Sequence, residues 1–342
     1  MSEFRVDQIT NQSGSRGPDI AGITTFSATS GMLMPSGPTE YRGGRGRGVF
    51  AGGYNPTYFN IIDYVTIAST GNAQDFGDLT NGLVGNACCS SSTRGISAGG
   101  RTPSELNTID YLTISSTGNA FDFGDLLTVS RLSSAVSNNT RGIIAGGYGN
   151  SISLSTYSII QYITFSSLGN SSKFGDLTYS RRSLSGLASP TRGIFGGGTN
   201  NISPTAVNTI EYITIASTGN AQDFGDLTQE RNYPAGCSNS TRGVWGGGQS
   251  PTRVNIIDYV TIASLGDAID FGDLGDVRGT LSSCSSSIRG LFAGGRNDVP
   301  AVLNTIEYIT IATTGDAVDF GDLTQDRRTL SACSDAHGGL GD

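Results

Sequence analysis

Aromatic and arginine side chains recur in two loops of a repeated unit, and together they could bind sugars or anionic groups. One loop joins the first two strands of the unit and varies in length, the other leads to the innermost strand and has constant length, and in a propeller both emerge on the same face. Aromatic rings stack on the apolar faces of sugars, and the planar guanidinium of arginine makes forked hydrogen bonds with carboxylates and phosphates. We therefore predict a binding site in these loops. Its candidate residues are Tyr54, Tyr58, Phe59, Arg101, Tyr148, Tyr157, Tyr179, Arg181, Arg231, Tyr233, Arg253, Arg278, Arg296 and Arg327.

Both loops belong to a unit that occurs six times along the sequence. An Arg-Gly pair opens each copy, with steps of 47, 47, 51, 50 and 47 residues, and an Ile-(acid or Gln)-Tyr and a Phe-Gly-Asp follow it. The distance from Gly-Gly to the isoleucine varies from 9 to 13 residues, whereas a Cys, Val or Leu always stands 13 residues after the Phe. Because binding residues favour variable loops on a rigid scaffold, the loops are the predicted site. The copies start at Arg47, Arg94, Arg141, Arg192, Arg242 and Arg289.

Each copy contains four extended segments and no helical period. In the fourth copy, a short apolar run ends at Gly196, and residues 207–217 alternate with period two and are rich in β-branched side chains. A repeat of this length indicates a solenoid, a propeller or an array. Four short strands joined by turns are typical of a propeller blade. We predict an all-β, six-bladed β-propeller of four-stranded blades.

The predicted chain has two parts, an extended N-terminal attachment arm at 1–46 and the propeller at 47–342. The arm has too few apolar residues to bury a core of its own. Within the propeller, a fourth strand follows the sixth Phe-Gly-Asp, and nothing equivalent precedes Arg47. The C-terminal strand, at 328–334, is therefore expected to complete the first blade beside 48–50 and to remove the open edge of the ring.

The overall charge and apolar content exclude several partners. The net charge is -8 and Lys173 is the only lysine, which disfavours a nucleic-acid or anionic-membrane surface. The sequence has no apolar run of 18 residues and no signal-peptide core, so we expect neither membrane insertion nor ordinary export.

The repeated polar and sulfur-bearing residues are interpreted as scaffold rather than as metal ligands. Four of the five cysteines alternate with Val136 and Leu187 at one repeated position, which indicates small core residues. Each Phe-Gly-Asp aspartate follows a glycine at a strand end, where we expect it to accept hydrogen bonds from nearby backbone N–H groups and also to pair with an Arg-Gly arginine of a neighbouring turn. A calcium site would need more oxygen ligands than one such triplet offers. We predict no metal and no cofactor.

Catalysis finds little support in the sequence. His337 is the only histidine and lies in the C-terminal tail, which argues against histidine-dependent metal, triad and dyad mechanisms. Glycoside hydrolysis needs two carboxylates, and a catalytic pair should break the repeat, but no pair does so. We therefore predict no catalytic residues and a non-enzymatic protein.

The repeat resembles a divergent Kelch-type propeller. The resemblance rests on a double glycine after an apolar strand, a Tyr about ten residues later, and an arginine that opens the innermost strand. Phenylalanines such as Phe76 stand where Kelch repeats have tryptophan, so no named Kelch subfamily is implied. The opening arginines are Arg131, Arg182, Arg231, Arg278 and Arg328.

Two further stretches resemble proteins of tailed bacteriophages. FRVDQITNQSGSRGPDI is similar to the N-termini of tail-fibre and other virion proteins, and NTIEYITIASTGNAQDFGDLT is similar to repeats predicted in marine and cyanobacterial phage virions. The resemblance implies a virion structural protein, present in several copies, whose arm binds other virion proteins. Its loop face would bind a host-surface carbohydrate or a neighbouring virion protein, on the tail or on the capsid. A polysaccharide-active enzyme and a cellular Kelch-type scaffold are the alternatives.

Overall fold

In a computed structural model of the chain, the described residues are 46–149, 156–200, 206–299 and 301–341, with two short paired strands, Phe26–Ser27 and Gly31–Met32. The chain divides into two compact units, Met1–Arg42 and Gly43–Asp342. The second unit contains all six repeats. The predicted N-terminal arm lies outside the described residues except for the two short strands and Gly46.

Six four-stranded antiparallel sheets form a ring, so the chain is an all-β, six-bladed β-propeller, as predicted. We number the blades one to six in the order of their Arg-Gly pairs. The inner strands of blades one to six are Ser331–Ser334, Ala87–Ser90, Ser134–Ser137, Ser185–Ala188, Ala235–Ser238 and Ser282–Ser285. The second strands are Arg47–Ala51, Arg94–Ala98, Arg141–Ala145, Arg192–Gly196, Arg242–Gly246 and Arg289–Ala293.

The two remaining strands of each blade lie farther from the axis. The third strands are Phe59–Thr66, Thr108–Thr113, Ile159–Thr164, Thr209–Thr214, Ile256–Thr261 and Thr305–Thr310. The outer strands are Gln74–Leu83, Phe121–Asp125, Ser172–Asp176, Gln222–Asp226, Ile269–Asp273 and Val318–Asp322. A short hairpin, Arg101–Thr102 with Ser104–Glu105, extends the loop after the second strand of blade two, and a 3-10 helix, Gly338–Leu340, follows the last strand.

The first blade contains both ends of the propeller, which confirms the predicted closure. Ser331–Ser334 pairs antiparallel with Arg47–Ala51, in a register that places Cys333 opposite Val49. The ring therefore has no unpaired edge at the point where the repeats begin and end.

The Arg-Gly arginines join each blade to the next. In every blade the guanidinium carbon lies 4.4 to 5.0 Å from the centroid of the blade's Tyr ring, and that Tyr meets the Phe of Phe-Gly-Asp edge to face. The same guanidinium donates to a backbone carbonyl of the following blade: Arg192 Nη1 lies 2.7 Å from Ile262 O, and Arg289 Nη1 lies 3.2 Å from Ile67 O. The last of these bonds crosses the closure from blade six to blade one.

The predicted pairing of the Phe-Gly-Asp aspartates with these arginines is wrong. The arginines are occupied by the Tyr rings and the carbonyls, and the Phe-Gly-Asp backbone binds the turn before the next outer strand instead. The N–H of Asp78 donates to Asn119 Oδ1 at 3.1 Å, and the N–H of Gly118 donates to Phe76 O at 2.7 Å. This turn covers the outer strand edge of the preceding blade, which would otherwise be free to pair with another chain.

Serine hydroxyls connect the inner strands around the axis. Each donates to the carbonyl at the same position in the preceding blade, as Ser137 Oγ does to Ser90 O at 2.8 Å and Ser285 Oγ does to Ser238 O at 2.8 Å. Blade four interrupts the series because Ala188 has no hydroxyl.

The glycine of each Arg-Gly pair makes room for a side chain of the preceding blade. That side chain is the Cys, Val or Leu in the preceding blade's inner strand, at the position 13 residues after a Phe-Gly-Asp phenylalanine. A Cβ placed on Gly290 would lie 2.5 Å from Cys237 Sγ, and one on Gly48 would lie 2.6 Å from Cys284 Sγ. Neither glycine has a positive φ, so the requirement is for space rather than for backbone freedom. The four cysteines at this position are free and buried, which confirms that they are core residues.

We expect Gly290→Ala to lower the free energy of unfolding by about 1–3 kcal/mol, because the added methyl overpacks the contact with Cys237. Denaturant unfolding of the full chain measures the loss. Gly219→Ala is the matched control, since its Cβ would have no heavy atom within 4 Å, and should change stability by less than about 0.5 kcal/mol. Cys237→Ala should offset part of the loss in the double variant. Equal effects at Gly219 and Gly290 would contradict the packing argument.

Candidate functional site

Two kinds of loop meet on one face of the propeller, as the repeat predicts. The residue after each Gly-Gly forms a backbone bridge with the residue eight positions after the preceding Phe, just before the inner strand of the same blade. We call this face the loop face and these twelve residues the mouth ring. In blades one to six the bridged pairs are Tyr54 with Arg328, Arg101 with Val84, Tyr148 with Arg131, Thr199 with Arg182, Gln249 with Asn232, and Arg296 with Gly279.

Four of the predicted site arginines are not on this surface, which corrects the prediction. Their side chains are fully buried and pair with the acidic residue of the Ile-acid-Tyr triplet. Arg231 Nη2 lies 2.8 Å from Asp258 Oδ2, and both side chains are 0% exposed. Burial lowers the pKa of Arg231, and the Asp258 carboxylate opposes that shift. The four pairs are Arg181 with Glu211, Arg231 with Asp258, Arg278 with Glu307, and Arg327 with Asp63.

Blades two and three have another residue in place of this buried arginine, and they differ in whether the acidic partner is kept. In blade three, Ser130 takes the arginine's place, and the acid is replaced by neutral Gln161, whose Oε1 accepts from the Leu127 N–H at 2.9 Å. In blade two, Leu83 takes that place but the acid remains. Asp110 accepts from Thr80 Oγ1 at 2.6 Å, and burial raises the pKa of this carboxyl. Asp110 forms no ion pair with a described arginine.

Five of the predicted site residues line a pocket at the mouth of the central channel. It has a volume of about 390 Å³ and brings together the predicted residues Tyr54, Tyr58, Arg101, Tyr148 and Tyr233. Val84, Gly85, Leu132 and Thr329 complete its wall together with two arginines, Arg131 and Arg328. The pocket lies off the axis, because most of its wall comes from the loops of blades one to three.

Stacking holds the arginines of this pocket in place. The Arg131 guanidinium lies 4.5 Å from the centroid of the Tyr148 ring, and that of Arg328 lies 5.3 Å from the Tyr54 centroid. Burial and the neighbouring cation of Arg101 lower the pKa of Arg131. The cations of Arg101 and Arg131 therefore repel each other, and the Glu105 carboxylate beside Arg131 offsets part of that repulsion.

Sequence reasoning missed Arg131 and Arg328 as site residues because it treated them only as the residues that open the inner strands. In Arg181-Arg182 and Arg327-Arg328, the first arginine is buried and the second reaches the mouth ring. Successive side chains of an extended segment point to opposite sides, so the eighth position after the Phe, and not the seventh, is the exposed one.

The remaining candidate residues lie outside the pocket. Phe59 begins the third strand of blade one. The backbone N–H of Tyr157 donates to Gly147 O. The Arg181 guanidinium stacks on Tyr179 at 5.0 Å. Arg253 Nη1 pairs with Asp298 at 2.7 Å, and Arg296 is the mouth-ring residue of blade six.

Below the pocket, the channel contains a cavity of about 130 Å³ that shares Gly85, Leu132, Tyr233 and Thr329 with the pocket. Small side chains face it from the inner strands, and Asn86 and Ser183 also line it. Both are buried, and neither Asn86 Oδ1 nor Ser183 Oγ has a hydrogen-bond partner among the described residues.

The C-terminal tail lies across the opposite end of the channel. Its 3-10 helix, Gly338–Leu340, contacts the inner strands of blades three, four and five, where Ala188 interrupts the serine series. The Gly339 N–H donates to His337 Nδ1 at 3.1 Å, and His337 Nε2 lies 2.9 Å from Ser90 O. The ring is therefore the neutral tautomer with its proton on Nε2. Burial lowers the pKa of His337 to about 4.

Among the described residues, no group of three or more His, Cys, Asp and Glu side chains could hold a metal ion. No helix in that part of the chain is long and apolar enough to cross a membrane.

No protein-family model matches the chain, and no curated protein is significantly similar to it. Its resemblance to Kelch repeats and to phage virion proteins therefore stays a prediction.

We predict opposite effects of two Asp→Asn substitutions at the same repeated position. Asp258→Asn should lower the free energy of unfolding by about 3–5 kcal/mol, because it leaves Arg231 buried without its counter-charge. Asp110→Asn should raise stability at pH 7, because it removes a buried charge that has no arginine partner, as Gln161 does naturally in blade three.

The pH dependence of denaturant unfolding checks the argument for Asp110. A raised folded-state pKa means that the folded protein binds the proton more tightly than the unfolded chain does. The stability supplied by that proton is present at low pH and is lost as pH rises through the folded pKa. The advantage of Asp110→Asn should therefore grow from acid to neutral pH. A destabilised Asp110→Asn at pH 7 would show that the charge is compensated.

A second pH effect is expected at the tail. Protonation of His337 Nδ1 would break the bond from the Gly339 N–H, so docking of the tail should weaken as pH falls from about 6.5, the ordinary value for histidine, to about 4. Limited proteolysis with mass spectrometry should show faster C-terminal cleavage over that range. His337→Ala should be cleaved quickly at every pH. Cleavage of the natural protein that does not change between pH 7 and 4 would contradict this coupling.

Proposed function

We propose that this chain is a non-enzymatic structural protein of a tailed-phage virion. Its N-terminal arm fixes it to other virion proteins, and the pocket on the loop face binds a glycan of the host surface. The pocket supports the glycan-binding part of the proposal. The resemblance of residues 4–20 and of the repeat to virion proteins supports the virion part. Whether the protein lies on the tail or on the capsid is left to experiment.

The observation that carries the binding role is the composition of the pocket wall. Four tyrosines and three arginines meet in one concavity of about 390 Å³, within the usual range of about 300–1,000 Å³ for ligand pockets. Tyrosines offer flat faces for sugar rings, and arginines offer forked donors. Glycoside hydrolysis uses a pair of carboxylates, and the described wall of this pocket is made of stacking and cationic groups instead.

The site breaks the symmetry of the scaffold, which also supports a binding role. The Arg-Gly, Tyr and Phe positions are the same in all six blades, because they join each blade to its neighbour. The mouth-ring residues differ from blade to blade, and Tyr233 reaches the pocket from blade five. Residues that vary around a constant frame are free to serve recognition.

An immobilised panel of acidic and neutral polysaccharides tests the binding role with the full chain. We expect at least one glycan to bind, and Tyr58→Ala together with Tyr233→Asn to weaken it about tenfold or more through lost stacking. Asn suits position 233 because the backbone there has a φ of 55°, which Asn tolerates better than most residues. Phe121→Ala removes an exposed ring on the outer strand of blade two and should leave binding unchanged.

Immunogold labelling of purified virions tests the location. Label on the particle is expected, and its position on tail or capsid decides between host adhesion by a tail fibre and capsid decoration. Absence of the protein from virions would overturn the virion role and favour a cellular scaffold. Release of reducing ends from a bound polysaccharide would overturn the non-enzymatic assignment.

A further inference from the structure

We infer that the pocket on the loop face recognises an acidic sugar, a saccharide ring that bears a carboxylate, as part of a surface polysaccharide. The carboxylate would bind Arg101, Arg131 and Arg328, and the ring would stack on Tyr58 or Tyr233. This inference rests on the proposed glycan-binding function and names the chemical class of its ligand.

The charge of the mouth ring is opposite to that of the protein. The chain carries a net charge of -8, yet five of the twelve mouth-ring residues are arginines and none is acidic. The five are Arg101, Arg131, Arg182, Arg296 and Arg328. A cationic rim on an anionic protein concentrates field at the channel mouth and attracts an anionic ligand to it.

The arginines of the pocket keep donors available for such a ligand. Neither Arg101 nor Arg328 forms an ion pair with a described carboxylate, whereas the four buried arginines below them all do. Arg131 Nε lies 3.4 Å from Glu105 Oε1, a contact in which neither atom makes a hydrogen bond. Guanidinium groups already held by stacking lose little freedom when a carboxylate binds, which favours forked pairing.

The aromatic groups favour a ring-shaped ligand over an acidic peptide. Tyr148 and Tyr54 are covered by the guanidinium groups of Arg131 and Arg328, whereas Tyr58 meets Tyr54 edge to face at 5.4 Å. Tyr58 and Tyr233 therefore keep faces that can stack, beside the cations rather than beneath them. A sugar ring with a carboxylate offers both a face that can stack and a negative charge, whereas the flexible side chain of Asp or Glu offers only the charge.

Isothermal titration of the full chain tests the inference with a glucuronic acid trisaccharide and the glucose trisaccharide of the same linkage. We expect the acidic sugar to bind at least tenfold more tightly, with an affinity that falls as salt rises. Arg101→Gln and Arg328→Gln should each weaken it about tenfold, because each removes a charge-assisted hydrogen bond. Lys173→Gln removes the same charge from the outer strand of blade three and should leave the affinity unchanged.

Titrations with further ligands distinguish a failure of this inference from a failure of the proposed glycan-binding function. Equal binding of the neutral trisaccharide would overturn the inference and leave glycan binding in place. Tighter binding of a sulfated trisaccharide would also overturn it, in favour of a point-charge anion. If no saccharide binds while a poly-glutamate peptide does, both the inference and the glycan-binding function fail. Circular dichroism and melting temperature of each variant separate lost binding from lost folding.

Discussion

The fold depends on the crowding of six inner strands around one axis. Only small side chains fit where these strands meet, and the glycine of Arg-Gly is needed because the Cys, Val or Leu of the preceding blade occupies the space a Cβ would take. Once the strands are this close, a serine of one blade reaches a carbonyl of the next, and an arginine farther out reaches across the same gap. The short strands of one blade bury too little to be stable alone, so stability comes from these contacts and from the closure at Ser331–Ser334.

Arginines at two adjacent positions have different roles, one in the scaffold and one at the candidate site. The arginine seven residues after the Phe turns inward and pairs with an acid of its own blade, whereas the one eight residues after it turns toward the mouth. The buried pair fixes the segment that enters the inner strand, because an arginine without its counter-charge could not remain inside. The exposed neighbour is thereby held at the rim. A scaffold contact and a binding contact thus occupy adjacent residues and cannot exchange roles without a shift in strand register.

Most of the fold could be predicted from the sequence, and about half of the pocket. A repeat of near-constant length, period-two strands and an orphan last strand leave few arrangements besides a closed propeller of six blades, and the structure has that arrangement. Tyr54, Tyr58, Arg101 and Tyr148 are predictable because loops of variable length are visible in a sequence, and Tyr233 because its loop emerges on the same face of a propeller. Arg181, Arg231, Arg278 and Arg327 were misplaced because burial depends on which side of a strand a residue faces. In three of the pairs the acidic partner lies about 30 residues later in the chain, and Arg327 pairs with Asp63, 264 residues away, across the closure of the ring. The sequence identifies the triplet that contains these acids only as part of a strand.

The departures from sixfold symmetry divide into those that the frame tolerates and those that a ligand would use. Leu83 with Asp110, and Ser130 with Gln161, change a buried pair within a blade and leave the backbone bridges of the mouth ring intact. Ala188 interrupts the serine series where the tail lies, so that end of the channel is covered by the chain itself. At the mouth, by contrast, no segment of the described chain covers the tyrosines and arginines of blades one to three. Among the pocket arginines only Arg131 has an acid of the described chain beside it, so a net positive charge remains next to the aromatic rings. Such a concavity is unfavourable unless something else contacts it, and this is the physical argument for a ligand there.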